Sequence, residues 1–368
     1  MARYGIVLGM HTSIAKGISK YGSIKAMPQY PIMRQMSEKG TTFVFSCDFS
    51  NYTGKLPRNC IHIRIWSRLT FLFFSWLFVS YYARRFNMNL LYYQSGSSVP
   101  AIPFVNRITN SKVLIFCGVL FHRSPMSVNP LRKSLTAKEF IYLMIEKFAF
   151  RFVDYVISGS TEITMFLKSV NGFRGKVLPV KKGIRLPKKE KSKFANKRVI
   201  WSGRLEFVKN PLLAVYSFIW YVLPKHPDAE LLICGNGSLL EELRKSTKKY
   251  LNIQVLGHVH NLYSLMSESS IYLSTSIYEG SSDAIVEAMA IGLPVVATDV
   301  GGTKDYVIDN ETGILCDLES FKQIGEAICY FFDNPKIAWH MGQIGKEIVH
   351  EHYDIEKNTA KLLGLLEQ

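Results

Sequence analysis

The chain has 368 residues, 48% hydrophobic and 20% charged, which is long enough for two domains and too apolar for a disordered chain. Its formal charge of +16 is uneven: residues 1–190 hold 28 Lys/Arg against 7 Asp/Glu, and residues 191–368 hold 17 against 22. Six scattered cysteines, with no CxxC pair and no Cys/His cluster, indicate neither a disulfide framework nor a zinc site and suit a reducing compartment.

Tyr4–Met10 reads as an apolar first strand; within it Ile6–Met10 is too short for the h-region of a signal peptide, so a cytoplasmic protein is expected. A loop at His11–Gly22 follows, rich in Gly, Ser and Lys; glycines there, Gly17 among them, permit close approach of a phosphate or an acceptor. A helix is expected over Ser23–Lys39, then strands at Thr41–Cys47 and Cys60–Ile65.

Leu69–Ala83 is an uncharged run flanked by Arg64, Arg68, Arg84 and Arg85. It is short for a membrane span, which needs about 20 residues. It reads either as a buried crossover helix before a strand at Asn89–Gln94 or as a helix that enters a membrane interface with its arginines at the headgroups; the two are compatible.

A strand at Lys112–Cys117, an amphipathic helix at Ala137–Phe152, a strand at Tyr155–Ser158, a helix at Thr161–Ser169 and a strand at Lys176–Pro179 complete a βαβ series. Lys181–Lys193, broken by Gly183 and Pro187, is the expected domain junction. The alternation then restarts: strands at Arg198–Ser202, Glu230–Cys234, Ile253–Leu256 and Ile271–Ser274, with helices at Pro211–Leu223, Leu239–Tyr250 and Leu262–Ser267. A short segment is expected at Thr312–Leu315, then helices over 320–333 and 335–350 and a final one at Ile355–Glu367.

The stretch from Ser276 to Ala297 joins a loop, a helix and a buried strand. Ser281, Ser282 and Asp283 offer N-cap chemistry. Free N–H groups at that helix start favour an anion, and Glu287 lies about 7 Å further along the axis than the start. Glu279 lies just outside the helix. A ligand with a phosphate and hydroxyl groups fits this layout, and so does a plain capped surface helix with Glu287 in solvent. Arg204 and Lys209, around a strand-to-helix turn, suit a diphosphate or are solvated surface cations. Gly235-Asn236-Gly237 lacks the third glycine of a dinucleotide fingerprint, and a tight turn explains it equally well. Gly257-His258-Val259-His260 offers backbone for a base pocket or a solvated histidine pair.

As a set these pieces resemble the family 4 retaining glycosyltransferases. The matching residues are Glu279 and Glu287 in an E-x7-E pair, the run Glu287–Ala297, Gly301-Gly302, Asn310–Gly313, and Gly203-Arg204-Leu205 with Lys209-Asn210. The resemblance covers about 198–315. It implies the GT-B fold: an α/β protein of two Rossmann-like domains whose parallel sheets face across a cleft, with a C-terminal helix packing back on the first domain. The implied divisions are 1–185 for the acceptor, 186–350 for the nucleotide sugar and 351–368 for the returning helix.

The resemblance also implies roles. Glu279, Arg204 and Lys209 would be catalytic, Glu279 at the donor sugar and the two cations at the diphosphate. Glu287 would bind the ribose, with Gly280, Ser281, Ser282, Gly257, Val259 and Gly17 completing the donor site. His122 and Cys117 stand on the acceptor side; many members carry His-Gly or His-Asp where this chain has Cys117-Gly118. No metal and no cofactor are expected, with a nucleoside diphosphate sugar as substrate. The expected activity is hexosyl transfer with retention to a lipid-linked or other anionic acceptor at an anionic cytoplasmic membrane face, in surface polysaccharide or glycan assembly. A soluble acceptor, a non-catalytic GT-B-like protein and a basic nucleic-acid-binding protein are the alternatives, although no recognisable nucleic-acid module is present.

Overall fold

The computed structural model describes residues 2–7, 30–46, 56–64, 68–94, 102–117, 136–187 and 196–367. They belong to two compact units, one of the described residues up to 183 together with those from 355 onward, the other of the described residues between 184 and 354.

The first unit is built on a seven-stranded parallel sheet. Its strands are β1 (Ala2–Val7), β2 (Gly40–Ser46), β3 (Cys60–Arg64), β4 (Leu90–Gln94), β5 (Lys112–Cys117), β6 (Tyr155–Ser158) and β7 (Lys176–Val177), in the order β3-β2-β1-β4-β5-β6-β7. Both sheet faces are buried, so the strands are apolar at odd and even positions alike. Leu91 and Tyr93 of β4 point to one core, Leu90 and Tyr92 to the other. The first core lies under α2 (Arg68–Arg85), α3 (Ile102–Ile108), α4 (Ala137–Phe150) and α5 (Thr161–Ser169), the second under α1 (Tyr30–Lys39) and α12 (Ile355–Leu366). Right-handed crossovers produce this division, because β1 to β2 runs one way along the sheet and β3 to β7 the other.

The expected helix at 23–39 is seen from Tyr30 onward, its earlier part lying outside the described residues. The uncharged run of 69–83 is the body of α2, the crossover from β3 to β4. Ser75, Val79 and Ala83 line its buried side at i, i+4 and i+8. Among the described residues no helix is long and apolar enough to cross a membrane. Helix α3 is absent from the sequence expectation; Pro103 falls in its first turn, where a missing N–H is no loss.

Helix α12, last in sequence, packs on the first unit. Leu362 and Leu363 join Met33 and Met36 of α1 in one core. Arg34 pairs with Glu356 at 2.8 Å, and Lys39 with Glu367 at 2.5 Å.

The second unit has a six-stranded parallel sheet of β8 (Arg198–Ser202), β9 (Glu230–Cys234), β10 (Ile253–Gly257), β11 (Ile271–Ser274), β12 (Val295–Thr298) and β13 (Gly313–Cys316), ordered β10-β9-β8-β11-β12-β13. Helices α6 (Pro211–Ser217), α7 (Leu240–Thr247) and α10 (Phe321–Asp333) cover one face. Helices α8 (Leu262–Ser267), α9 (Asp283–Ala290) and α11 (Pro335–His352) pack mainly on the other. The single helix expected over 211–223 is α6 followed by a wider π-helical turn at Phe218–Val222.

Candidate active site

In the second sheet β8 leads outward to β9 and β10, and the chain then returns to β11 on the other side of β8. The carboxyl ends of β8 and β11 therefore form a topological switch point. Connections leave it in opposite directions, and such a point opens a crevice. A cavity of about 90 Å³ lies there. Its walls are Trp201, Ser202 and Gly203 from the end of β8, Tyr272, Ser274 and Ser276 from β11 and its exit, Lys209, Glu279, and Ser281 to Ala284 at the start of α9.

Glu279 is 5% exposed and faces this cavity. Its Oε2 accepts hydrogen bonds from Lys209 Nζ and, at 3.2 Å, from Ser276 Oγ. Two donors, one a cation, give the carboxylate polar partners in a buried place. The Glu279 carbonyl accepts from the Gly302 N–H at 2.6 Å. A Cβ at Gly302 would stand 2.5 Å from the Gly280 carbonyl oxygen, so only glycine lets these two loops close.

Lys209 ends a single 3-10 turn, Phe207–Lys209. That turn is tied to β11 through one hydroxyl. Trp201 Nε1 donates to Thr275 Oγ1 at 2.9 Å, and Thr275 Oγ1 in turn donates to the Asn210 carbonyl at 2.8 Å, with the Lys209 carbonyl 3.2 Å away. The Ile277 N–H adds a bond to the Val208 carbonyl. Asn210 is left-handed, φ 44°, and its Oδ1 caps α6 at the Leu213 N–H. The two cations expected at one helix start thus differ: Lys209 is held in an ion pair, while Arg204 is exposed and its guanidinium makes no hydrogen bond or ion pair to another described residue.

Ser282 occupies the cap position of α9 in extended backbone, but its side chain makes no capping hydrogen bond, contrary to expectation. Helix geometry leaves the first-turn N–H groups without partners four residues back, at the cavity wall. Ser281 Oγ instead accepts from Tyr306 Oη at 3.0 Å. Burial pushes the Tyr306 and Tyr272 phenols well above their ordinary range, and the Glu279 carboxylate adds to it, so both remain hydroxyl donors.

Glu287, Gly257 and Val259 are not among these walls. Glu287 is half-buried, one turn into α9. Gly257 ends β10 with φ +70°, its carbonyl accepting from the Gly235 N–H at 2.7 Å, and Val259 packs on the core beside α8. Gly235-Asn236-Gly237 is explained by a close backbone approach: a Cβ on Gly235 would meet the Gly203 oxygen at 1.8 Å, and one on Gly237 the Leu205 oxygen at 2.3 Å. Gly17 and His122 lie outside the described residues. Cys117 is buried at the end of β5 in the first unit, its thiol driven up by burial and by Glu146.

Sequence reasoning missed Trp201, Tyr272, Ser274 and Thr275. The signal available was the polar run Ser274-Thr275-Ser276 at the carboxyl end of a strand, where open α/β sheets hold ligands. Chemically the site offers a buried carboxylate, a paired ammonium, an unengaged guanidinium nearby and open N–H groups. That set suits a ligand with both hydroxyl groups and phosphate.

Residues 184–348 match the family described as glycosyl transferases group 1. A glycosyltransferase of Haemophilus influenzae is 32% identical over 187 residues, 49% of this chain and 52% of that protein. The chain thus spans about half of that relative's length. Two solved structures align over the whole chain. Sucrose-phosphate synthase from Thermosynechococcus elongatus has a TM-score of 0.78 at 19% identity, covering 100% of this chain and 99% of that one. Anabaena HepE in complex with UDP has a TM-score of 0.76 at 15% identity, covering 100% of both. The GT-B architecture expected from the sequence is borne out at the level of two parallel-sheet units and a C-terminal helix on the first.

Proposed function

We propose that this chain, a member of the glycosyl transferases group 1 family through residues 184–348, moves a hexosyl group from a nucleoside diphosphate sugar to an acceptor with retention of configuration. The observation that carries the reading is the Lys209–Glu279 pair at the cavity between the ends of β8 and β11. The fold likeness to a UDP-bound protein supports a nucleoside diphosphate as leaving group.

In this reading a donor domain of residues 186–350 holds the nucleotide sugar. Arg204 and Lys209 take the diphosphate, with the first turn of α9 as a further anion contact. Lys209 gains a phosphate partner and Glu279 turns to a sugar hydroxyl, with Gly280, Ser281 and Ser282 around it. Glu287 holds the ribose, and Gly257 and Val259 bind the donor beside it. The C1–O bond to the β-phosphate breaks as the acceptor oxygen bonds to C1 on the same face, and the acceptor's hydroxyl proton passes to the departing phosphate oxygen. Cationic side chains and N–H groups stabilise the charge on that phosphate, so no metal is required.

The acceptor is lipid-linked, an intermediate of surface polysaccharide or glycan assembly, held by residues 1–185 with His122 and Cys117 on its side. Residues 351–368 return to that domain. The charge of the first 190 residues, 28 basic against 7 acidic, supports an anionic acceptor at an anionic cytoplasmic membrane face.

Thermal unfolding against a panel of nucleoside diphosphate sugars tests the donor. One donor should raise Tm progressively with concentration. No shift with any of them contradicts the reading.

A further inference from the structure

Helix α4 is turned inside out. Phe140, Met144 and Phe148, at i, i+4 and i+8, form its outer stripe and are 55%, 52% and 49% exposed. Glu139 and Glu146, on its inner side, are 4% and 2% exposed. A helix on a water-facing surface normally shows the opposite. Glu139 is accounted for by a capping box, its carboxylate accepting from the Thr136 N–H at 2.6 Å. The apolar outer stripe has no such account within the fold.

The stripe continues on the neighbouring helices. The Phe148 ring lies 5.3 Å from Phe152, and the Arg107 guanidinium stands over Phe152 at 5.4 Å. On α3, Phe104 is 52% exposed and meets Trp76 of α2 at 5.2 Å. On the outer side of α2, Tyr81 is 54% exposed and its hydroxyl accepts from Arg85. Helices α2, α3 and α4 cover the same sheet face over one core, so their outer sides make one surface. Contiguous exposed apolar area of this kind marks an interaction site.

Charge identifies the partner. Between residues 68 and 152 the only acids are Glu139 and Glu146, both buried. Arg84, Arg85, Arg107 and Arg151 are exposed around the apolar stripe. We infer that the outer face of α2, α3 and α4 docks on an anionic lipid bilayer, aromatic side chains entering the headgroup–acyl boundary and arginines meeting lipid phosphates. A second copy of the chain is disfavoured, since a two-fold contact would set these arginines against themselves. A nucleic acid would leave the stripe without a partner. As an acceptor-side surface the face rests on the transfer reading above; as a membrane contact it is read without any donor.

Flotation of the full chain with vesicles tests it. The protein should float with phosphatidylcholine–phosphatidylglycerol vesicles and not with phosphatidylcholine alone. Phe140→Ser/Met144→Ser/Phe148→Ser should cut binding at least about tenfold, since each buried aromatic or Met side chain contributes that much. Arg107→Glu/Arg151→Glu, a second route that leaves the stripe intact, should also weaken it. Unchanged flotation of both variants, equal flotation with neutral vesicles, or a dimer that the triple variant abolishes without any flotation would overturn the inference. Donor turnover in vesicle-free solution should be the same in both variants as in the parent; if no donor turns over yet flotation holds, the transfer reading fails and the docking surface stands.

Discussion

Lys209 Nζ donates to Glu279 Oε2 across 70 positions of sequence, joining the turn after β8 to the loop before α9. The two side chains are 21% and 6% exposed, so neither charge has full access to water. Removal of one leaves the other stranded, which for a buried pair costs about 3 kcal/mol or more. Glu279→Gln and Lys209→Met should each lower the unfolding free energy by that order. The double variant should lose clearly less than the sum of the two. Urea denaturation measures all three, and strictly additive losses would mean that the pair does not couple.

Thr275 links Trp201 to the Lys209 turn by accepting one hydrogen bond and donating another. Thr275→Val keeps the shape and strands the indole N–H, at about 1–3 kcal/mol. Its tryptophan emission should shift, and donor turnover should fall through a displaced Lys209. Thr275→Ser restores the hydroxyl and should recover both. If Val and Ser behave alike, the hydroxyl does not position the turn.

Leu363 is 2% exposed in the core that α12 shares with α1. Leu363→Ala should destabilise by about 2–5 kcal/mol, with the cavity it leaves setting the place in that range. Calorimetry would detect it as a lowered Tm. A shift within error would mean that α12 contributes no packing to the first unit.

Burial pushes the Cys60 thiol up to about 11 and the Cys234 and Cys316 thiols up to about 12, against an ordinary value of 9.0. All three pKa values are raised, so the neutral folded thiols contribute stability that is complete below pH 9. As pH rises further the unfolded chain loses these protons first, and stability falls until the folded thiols also ionise near 11 to 12. The urea midpoint should therefore drop from about pH 9 upward. Replacing Cys234 and Cys316 by Ala should flatten that slope, whatever its effect at neutral pH, and an unchanged slope would assign the alkaline loss to other groups.

Much of the second unit was legible in the sequence because its strands are short and apolar, with β8, β9 and β10 closed by glycine, and because Pro211 and Ser282 mark helix starts. The loop from Ser276 to Ser282 was readable as a site for the same reason. The Trp201–Thr275–Asn210 link was not, since Trp201 and Thr275 stand 74 positions apart and meet only when β8 and β11 become neighbours. The capping of α9 was misjudged because a serine at the cap position satisfies the pattern whether or not its hydroxyl turns to the helix. Helix α4 shows the limit of periodicity. Its amphipathic pattern is plain in sequence, but the pattern does not tell which side meets the sheet; the capping box accounts for the inward turn of Glu139 alone.

Release of nucleoside diphosphate from a panel of nucleotide sugars, followed for the parent chain, Glu279→Gln and Lys209→Met, tests the central claim most directly. Release from one donor by the parent, reduced at least about 100-fold in both variants, is the predicted result. Equal release by all three proteins, or none from any donor, would contradict it.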